Sequence, residues 1–345
     1  KLSNAVVQKE LDSVYSREKY PLLDMRLPGY VGLGGAMLGG LLMFAGYKRQ
    51  RIGKLGRHEA RWAYFFIFPW IFGFLVFTLG PMIASLFFSF TEYNVLNDAR
   101  WVGGKNYAEL LSDEQSLLAK SFMNVLYLGG IGVPLGLVTG LAIALLLNAG
   151  VRGMRYYRTA FYLPSIVPGI ASIVLWMFIL SPDPNRGLIN ALWRDTMQAW
   201  FQLPPPGWLT VENWAKPSLI LMGLWGAGGG MILWLAGLKG VPSTLYEAAS
   251  IDGASPKQQF WSVTLPQLTP IVFFNTVMGL IGALQQFESS YVITGGNNAG
   301  PSDSLLTPVY LLFTNGFSYF KMGYASALAW AIFAIVLMLT LFQFK

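Results

Sequence analysis

PSTLYEAASIDGASPKQQFWSVTLPQLTP (Pro242–Pro270) lies between two apolar, charge-poor runs, and its reading decides the fold. Residues Leu245–Ile251 favour helix, with Ser243 or Thr244 expected as N-cap and Glu247 in the first turn, where a negative charge suits the helix dipole. Gly253 supplies a turn that a residue with a Cβ resists. Ser255 is expected to cap a second helix with Pro256 at its first position, running to about Thr264. Pro266 then forces an exit and Pro270 opens the next apolar run. The result is a compact helix–turn–helix fixed at both ends to membrane-length segments, a shape suited to passing force from a partner into both.

The rest of the chain is built for lipid. Of 345 residues, 54% are hydrophobic, 15% aromatic and only 12% charged. So few charges leave a water-facing surface uncovered, and the composition predicts an all-α membrane protein. The net charge of +7 resides in short loops, which is a topology signal and not a nucleic-acid patch. Cysteine is absent, which excludes disulfides, thiolate metal sites and cysteine nucleophiles. His58 is the single histidine, so a multi-histidine metal site is excluded as well.

Runs of about 20 apolar residues, enough to cross a bilayer, occur at Leu27–Tyr47, Trp62–Thr91, Ser121–Val151, Thr159–Pro182, Pro217–Leu238, about Ile271–Thr294 and Met322–Phe344. The expected organisation is an exposed N-terminal segment (1–26), an extra membrane helix (27–47), a basic cytoplasmic linker (48–61) and a six-helix domain (62–344) with a cytoplasmic loop at 243–270. Lys48–Arg61 holds six Lys/Arg against one Glu, and Gly150–Arg158 holds three Arg and no acid. The 92–120 loop carries five acids against three bases. Because Lys and Arg are retained on the cytoplasmic side, the N-terminus is placed outside and the C-terminus inside. Leu305–Phe320, broken by proline, asparagine and glycine, is read as an interfacial or partly inserted helix. In the first run, Gly35 with Gly39 and Gly32 with Ala36 have the spacing of close helix contacts. Trp62, Trp101, Trp176, Trp208 and Trp214 near span ends read as interface anchors.

The loop at 243–270 resembles the cytoplasmic signature of the permease subunits of bacterial ATP-binding-cassette importers. That pattern is Glu-Ala-Ala, three residues, Gly, nine residues, an Ile-like residue, one residue, then Leu-Pro. Glu247, Ala248, Ala249, Gly253, Val263, Leu265 and Pro266 fill it in register, with Val standing for Ile. Ile251-Asp252-Gly253-Ala254 and Phe260 look like the sugar-importer branch, of maltose or glycerol-phosphate type. Arg158–Trp176, Leu224–Pro242, Leu284–Gly296 and Trp101–Tyr107 each resemble stretches of the same branch, so the likeness runs from about Ala60 to Phe344. It implies a six-helix permease core, with the N-terminal membrane helix as an addition. Two features depart from the branch: the longer GGNNAGPSDS loop after the fifth core span, and Gln286 where an apolar residue is usual. Both lie near the expected substrate path, which leaves the sugar unidentified.

No Gly-x-x-x-x-Gly-Lys-Ser/Thr sequence occurs, so the chain is not its own ATPase. The resemblance implies that this chain binds no cofactor, and that ATP and Mg sit on two separate ATP-binding subunits. It further implies a second permease, an extracytoplasmic sugar-binding protein and a bacterial inner-membrane location in contact with lipid. Glu247, Ala248, Ala249, Asp252, Gly253, Ala254, Leu265 and Pro266 would carry the coupling. Glu247 would meet a basic residue of the ATPase, and the alanines would stay small to let backbones approach. Polar groups inside spans mark the substrate path, because burying them costs free energy unless something compensates. They are Gln285, Gln286, Glu288 and Ser289 with the neighbouring ring of Tyr291, and, more weakly, Asn124 and Gly229. Glu288 has a second reading, as partner to a base of the other permease. An ion-coupled secondary transporter is the alternative class, which would show inverted repeats and several intramembrane charges. A membrane enzyme would need a carboxylate pair, metal set or nucleophile triad, none of which is visible.

Overall fold

The computed structural model describes residues 20–24, 26–49, 54–112, 117–150, 152–296 and 298–343. Most of the expected exposed tail, four residues of the basic linker and the last residue of the final expected span lie outside them. Among the described residues, five helices are long and apolar enough to cross a membrane: span 1 (His58–Ser89), span 2 (Leu117–Asn148), span 4 (Glu212–Gly240), span 5 (Thr269–Thr294) and span 6 (Met322–Gln343). Span 3 is a helix pair, Met154–Ile166 and Gly169–Ile179, bent by 99°. The apolar run over Thr159–Pro182 is thus broken by a sharp bend. Val167 adopts extended angles (φ −67°, ψ 130°) because Pro168 follows it, and a proline ring clashes with the helical conformation of the residue before.

The described residues pack as two units, Lys1–Gln115 with Leu312–Ala334 and Ser116–Leu311 with Ile335–Lys345. In the first, an N-terminal helix covers Arg26–Arg49. Its 24 residues give a rod of roughly 36 Å at 1.5 Å per residue, enough to cross the hydrocarbon core. It packs along span 1 through glycine: a Cβ on Gly32 would lie 3.9 Å from the Gly80 backbone, and one on Gly39 would lie 4.0 Å from Leu75. Gly35, the expected partner of Gly39 in a small-residue pair, faces nothing within 4 Å.

A hairpin follows span 1, pairing Thr91–Asn94 with Asn97–Trp101, where the sequence reading saw only a loop. Residues 20–24 join its edge, with Leu23 N–H donating to Ala99 O (2.8 Å) and Trp101 N–H donating to Pro21 O (2.8 Å). A Cβ on Gly323, at the start of span 6, would collide with the Thr91 carbonyl, so glycine there lets the helix backbone touch the strand.

In the second unit, Ala144 and Leu147 of span 2, Met231, Trp234, Leu235 and Leu238 of span 4, and Leu268 form one buried cluster. Glycines set the helix separations. A Cβ on Gly140 would come to 3.0 Å from Trp234 Nε1, and one on Gly228 would collide with the Phe161 carbonyl of span 3. Between spans 3 and 4, buried Asn190 donates to the carbonyls of Pro182 (3.1 Å) and Pro206 (3.0 Å) and accepts from Trp208 Nε1 (2.8 Å). Trp208 is therefore a buried structural residue and not an interface anchor. Trp176 packs edge-on against Trp225, and its buried Nε1 has no partner among the described residues.

The stretch read as an interfacial or partly inserted helix, Leu305–Phe320, packs its first half into the protein. It forms Pro308–Phe313 and a wide helical turn at Thr314–Ser318. Leu305 and Thr307 are fully buried and Tyr310 nearly so. Its polar groups find protein partners, Thr307 Oγ1 donating to Gln286 O (2.6 Å) and Tyr310 OH to Asn298 O (2.6 Å), and satisfied groups permit burial.

Candidate functional site

The first functional element is the segment after span 4. Helix Ser243–Ile251 starts at Pro242, whose extended ψ of 132° places it as N-cap without a side-chain hydrogen bond. This corrects the expectation of a Ser243 or Thr244 cap and puts Glu247 in the second turn, not the first. At the other end the chain closes in a Schellman turn: Gly253 takes φ +77°, Gly253 N–H donates to Ser250 O (3.1 Å) and Ala254 N–H donates to Ala249 O (2.9 Å). The spacing from the Ala pair to the glycine is thus the spacing from a helix's last free carbonyls to its left-handed stop.

Ser255 caps the second helix as expected, with Pro256 at the first position and Gln258 completing a reciprocal capping box. Pro266 does not end this helix. The turn Phe260–Thr264 widens to the π form and the helix continues through Leu265–Gln267. A widened turn relieves the clash between a proline ring and the carbonyl one turn earlier, and absorbs its missing donor. Cross-bonds stiffen the element: Tyr246 OH pairs with Thr264 Oγ1 (2.9 Å), and Gln259 Nε2 donates to Ser250 Oγ (3.0 Å) and Ala254 O (3.1 Å).

The base of this knob is set in the bundle, because Leu268 is fully buried in the span 2–span 4 cluster. Gly237 lets the Ile271 side chain lie against span 4, where a Cβ would stand. The tip is open instead: Glu247, Ala248, Asp252, Gly253 and Pro266 are exposed, and Ala249, Ala254 and Leu265 are partly so. Ile251 is 87% exposed, an aliphatic side chain in water on a polar knob. The braced element thus presents small residues and one exposed aliphatic side chain at its tip. Leu268→Ala is expected to loosen the base and cost about 2–5 kcal/mol, seen as a lower unfolding midpoint in detergent.

The second element is a cavity of about 420 Å³ between spans 2, 4 and 5. Gly132, Gly136 and Gly140, at every fourth position, line it from one face of span 2. Gly223, Gly226 and Gly230 line it from span 4, and Gly279 with the amides of Asn275 and Gln286 from span 5. Missing side chains make the space, and the two amides give it polarity. Gln286 is there because span 5 is broken: helix Thr269–Leu284 stops, Phe287 takes non-helical angles (φ −139°, ψ −52°), and helix resumes at Glu288–Thr294. Thr307 satisfies the Gln286 carbonyl freed at this break (2.6 Å). Irregular backbone inside a membrane is tolerated where protein or a cavity surrounds it.

The other expected path residues are dispersed. Gln285, Glu288 and Ser289 line a separate shallow cleft that Gln286 shares. The Glu288 carboxylate lies over Gly169, whose Cβ would be 2.9 Å from Oε2, so it faces the positive end of helix Gly169–Ile179. Tyr291 packs in a ring cluster with Phe287 and Tyr310. Gly229 turns away from the cavity against Ser165, where a Cβ would meet Ser165 Cβ at 2.9 Å.

Asn124 is a lock. Its Nδ2 donates to Asp303 O (2.8 Å) and Leu306 O (2.9 Å), and its Oδ1 accepts from Lys216 Nζ (3.0 Å). With those polar atoms engaged, Asn124→Ala is expected to lower the unfolding midpoint by an amount equivalent to about 2 kcal/mol or more, leaving the apparent KM for substrate unchanged. Asn275 and the span 2 glycines escaped the sequence reading. Their signals were an amide within an apolar run and a four-residue glycine period.

Residues 132–344 match the family described as binding-protein-dependent transport system inner membrane component. The chain is 43% identical over 287 residues to the probable ABC transporter permease protein YesP of Bacillus subtilis, covering 82% of this chain and 89% of that protein. It is 32% identical to the multiple sugar-binding transport system permease protein MsmF of Streptococcus mutans, covering 79% and 90% respectively. Among solved structures, a bacterial ABC transporter involved in the import of the acidic polysaccharide alginate superposes with a TM-score of 0.71 at 24% identity, covering 84% of this chain and 97% of that one. That likeness is one of fold.

Proposed function

The chain belongs to the binding-protein-dependent transport system inner membrane component family, and on that premise we propose that it is the permease subunit of an ATP-driven importer of a sugar or oligosaccharide. The observation that carries this reading is the knob at 243–267, rigid within itself, rooted in the span 2–span 4 core and exposed at its tip. A separate ATP-binding subunit receives the tip, and its nucleotide cycle tilts spans 4 and 5 together. ATP and Mg belong to that subunit, and this chain hydrolyses nothing. A second permease, a second ATP-binding subunit and an extracytoplasmic sugar-binding protein complete the assembly.

The knob lies on the cytoplasmic side of a bacterial inner membrane, and crossing parity then places the 91–101 hairpin outside. Residues 20–24 bond to that hairpin, which supports an outside start for the N-terminal helix and a basic linker inside. The cavity between spans 2, 4 and 5 serves as the path, with Gln286 and Asn275 offering amides that hydrogen-bond hydroxyls in both directions. Gln286→Ala is expected to raise the apparent KM for uptake about tenfold, equal to roughly 1.4 kcal/mol, while the amount of assembled complex stays constant. Uptake by proteoliposomes containing the assembled transporter tests the whole reading: it should require ATP inside and the binding protein outside.

A further inference from the structure

The first unit holds a polar cleft of about 390 Å³ that the transport path does not use. It opens between the 91–101 hairpin, helix Lys105–Ser112 and the turn before span 6, with Glu92, Tyr93, Lys105, Glu109, Tyr319 and Lys321 on its walls. Its floor is rigid. Buried Asn106 donates to the carbonyls of Ser89 (2.9 Å) and Thr91 (2.8 Å), Tyr93 stacks on Phe88 (centroids 5.0 Å), and Lys105 reaches Glu92 (3.5 Å).

Its rim carries strain. Phe320, a non-glycine residue, is held at φ +54° between two wall residues, with Lys321 N–H donating to Asn315 O (2.8 Å) and Met322 N–H donating to Phe320 O (3.0 Å). Unfavourable backbone persists where the surroundings over-determine it, and such positions cluster at ligand sites. Here it carries Tyr319, 63% exposed, and Lys321 on the cleft wall.

The wall chemistry selects the ligand. Two carboxylates balance two ammonium groups, so the cleft has no net charge to hold a simple anion or cation. Tyrosine faces cover the apolar side of a pyranose ring, while carboxylates accept from hydroxyls and ammonium groups donate to them. The volume lies within the range of small-molecule sites, about 300–1,000 Å³.

We propose that this cleft is a saccharide subsite of the first unit, a sugar site separate from the cavity between spans 2, 4 and 5. The proposal rests on the sugar-import reading. The test is equilibrium binding of labelled maltotriose, cellotriose and trigalacturonate to the assembled transporter in nanodiscs, without ATP or binding protein. At least one trisaccharide should bind saturably. Tyr319→Ala and Glu109→Gln, both exposed positions, should weaken that binding about tenfold or more, whereas Tyr319→Phe should retain it. Binding by the neutral sugars or by the uronate identifies which source of ring the cleft accepts, and either supports the subsite. Absence of binding by all three, or binding lost in Gln286→Ala and indifferent to both cleft variants, overturns it. ATP-driven uptake separates the two failures: uptake with no cleft-dependent binding sinks the subsite alone, and no sugar uptake at all sinks the import reading.

Discussion

Glu247→Ala in the assembled transporter is expected to leave ATP hydrolysis running and to lower sugar uptake by at least about thirtyfold, the lower end of what losing one partner of an interfacial charge pair costs, about 2–5 kcal/mol. Glu247 is exposed and makes no hydrogen bond or ion pair among the described residues. Its removal therefore costs the isolated permease nothing. In the proposed coupling its effect lies outside the chain, on a basic residue of the ATP-binding subunit. The complex should reach the membrane in normal amount, with hydrolysis no longer stimulated by loaded binding protein. Gly253→Asp should resemble it for a different reason. Open space surrounds the would-be Cβ, but φ is +77°, so the substitution costs about 1–2 kcal/mol of backbone strain and loosens the Schellman turn that sets the two helices' angle. Uptake and ATPase assays on the same proteoliposomes check both variants. Wild-type coupling in Glu247→Ala would remove the charge pair from the account.

Gly228→Val has the largest expected effect on assembly. A Cβ there meets the Phe161 backbone carbonyl, which cannot rotate aside as a side chain can, and overpacking of a tight contact costs about 1–3 kcal/mol or more. The variant should be nearly absent from the membrane fraction at the growth temperature. Gly226→Ala is the control on the same 3₁₀ turn. Nothing lies within 4 Å of its Cβ, and Gly226 lines the cavity, so this variant should assemble normally and transport more slowly. Quantitative immunoblots of membranes, read against uptake per molecule, separate the two. Equal abundance of both variants would contradict the close approach of spans 3 and 4.

What the sequence made legible follows from the kind of signal each element leaves. Six core spans were visible because lipid demands continuous apolar length, and the knob was visible because its punctuation, Gly253, Ser255 and Pro256, is local chemistry. The break in span 3 was written in Pro164 and Pro168 but masked by unbroken hydropathy. The stop in span 5 had no proline to announce it, being held by Thr307, 21 residues away. The hairpin at 91–101 was short and polar, and its edge partner is about 80 residues away in sequence, as the Arg100–Tyr20 hydrogen bond shows. Site residues divided in the same way. Gln286, which lines the cavity, stands out as a polar residue in an apolar run, whereas the contacts of Asn124 and Gly229 depend on neighbours from other elements that no local pattern encodes.

Sugar accumulation by proteoliposomes carrying this chain, its partner permease, the ATP-binding subunits and loaded binding protein tests the central claim most directly. Accumulation is expected with ATP inside, none under an imposed proton or sodium gradient without nucleotide, and none with ATP when the knob carries Glu247→Ala together with Gly253→Asp. Gradient-driven accumulation by the permease alone, or undiminished ATP-driven uptake by the double variant, would contradict it.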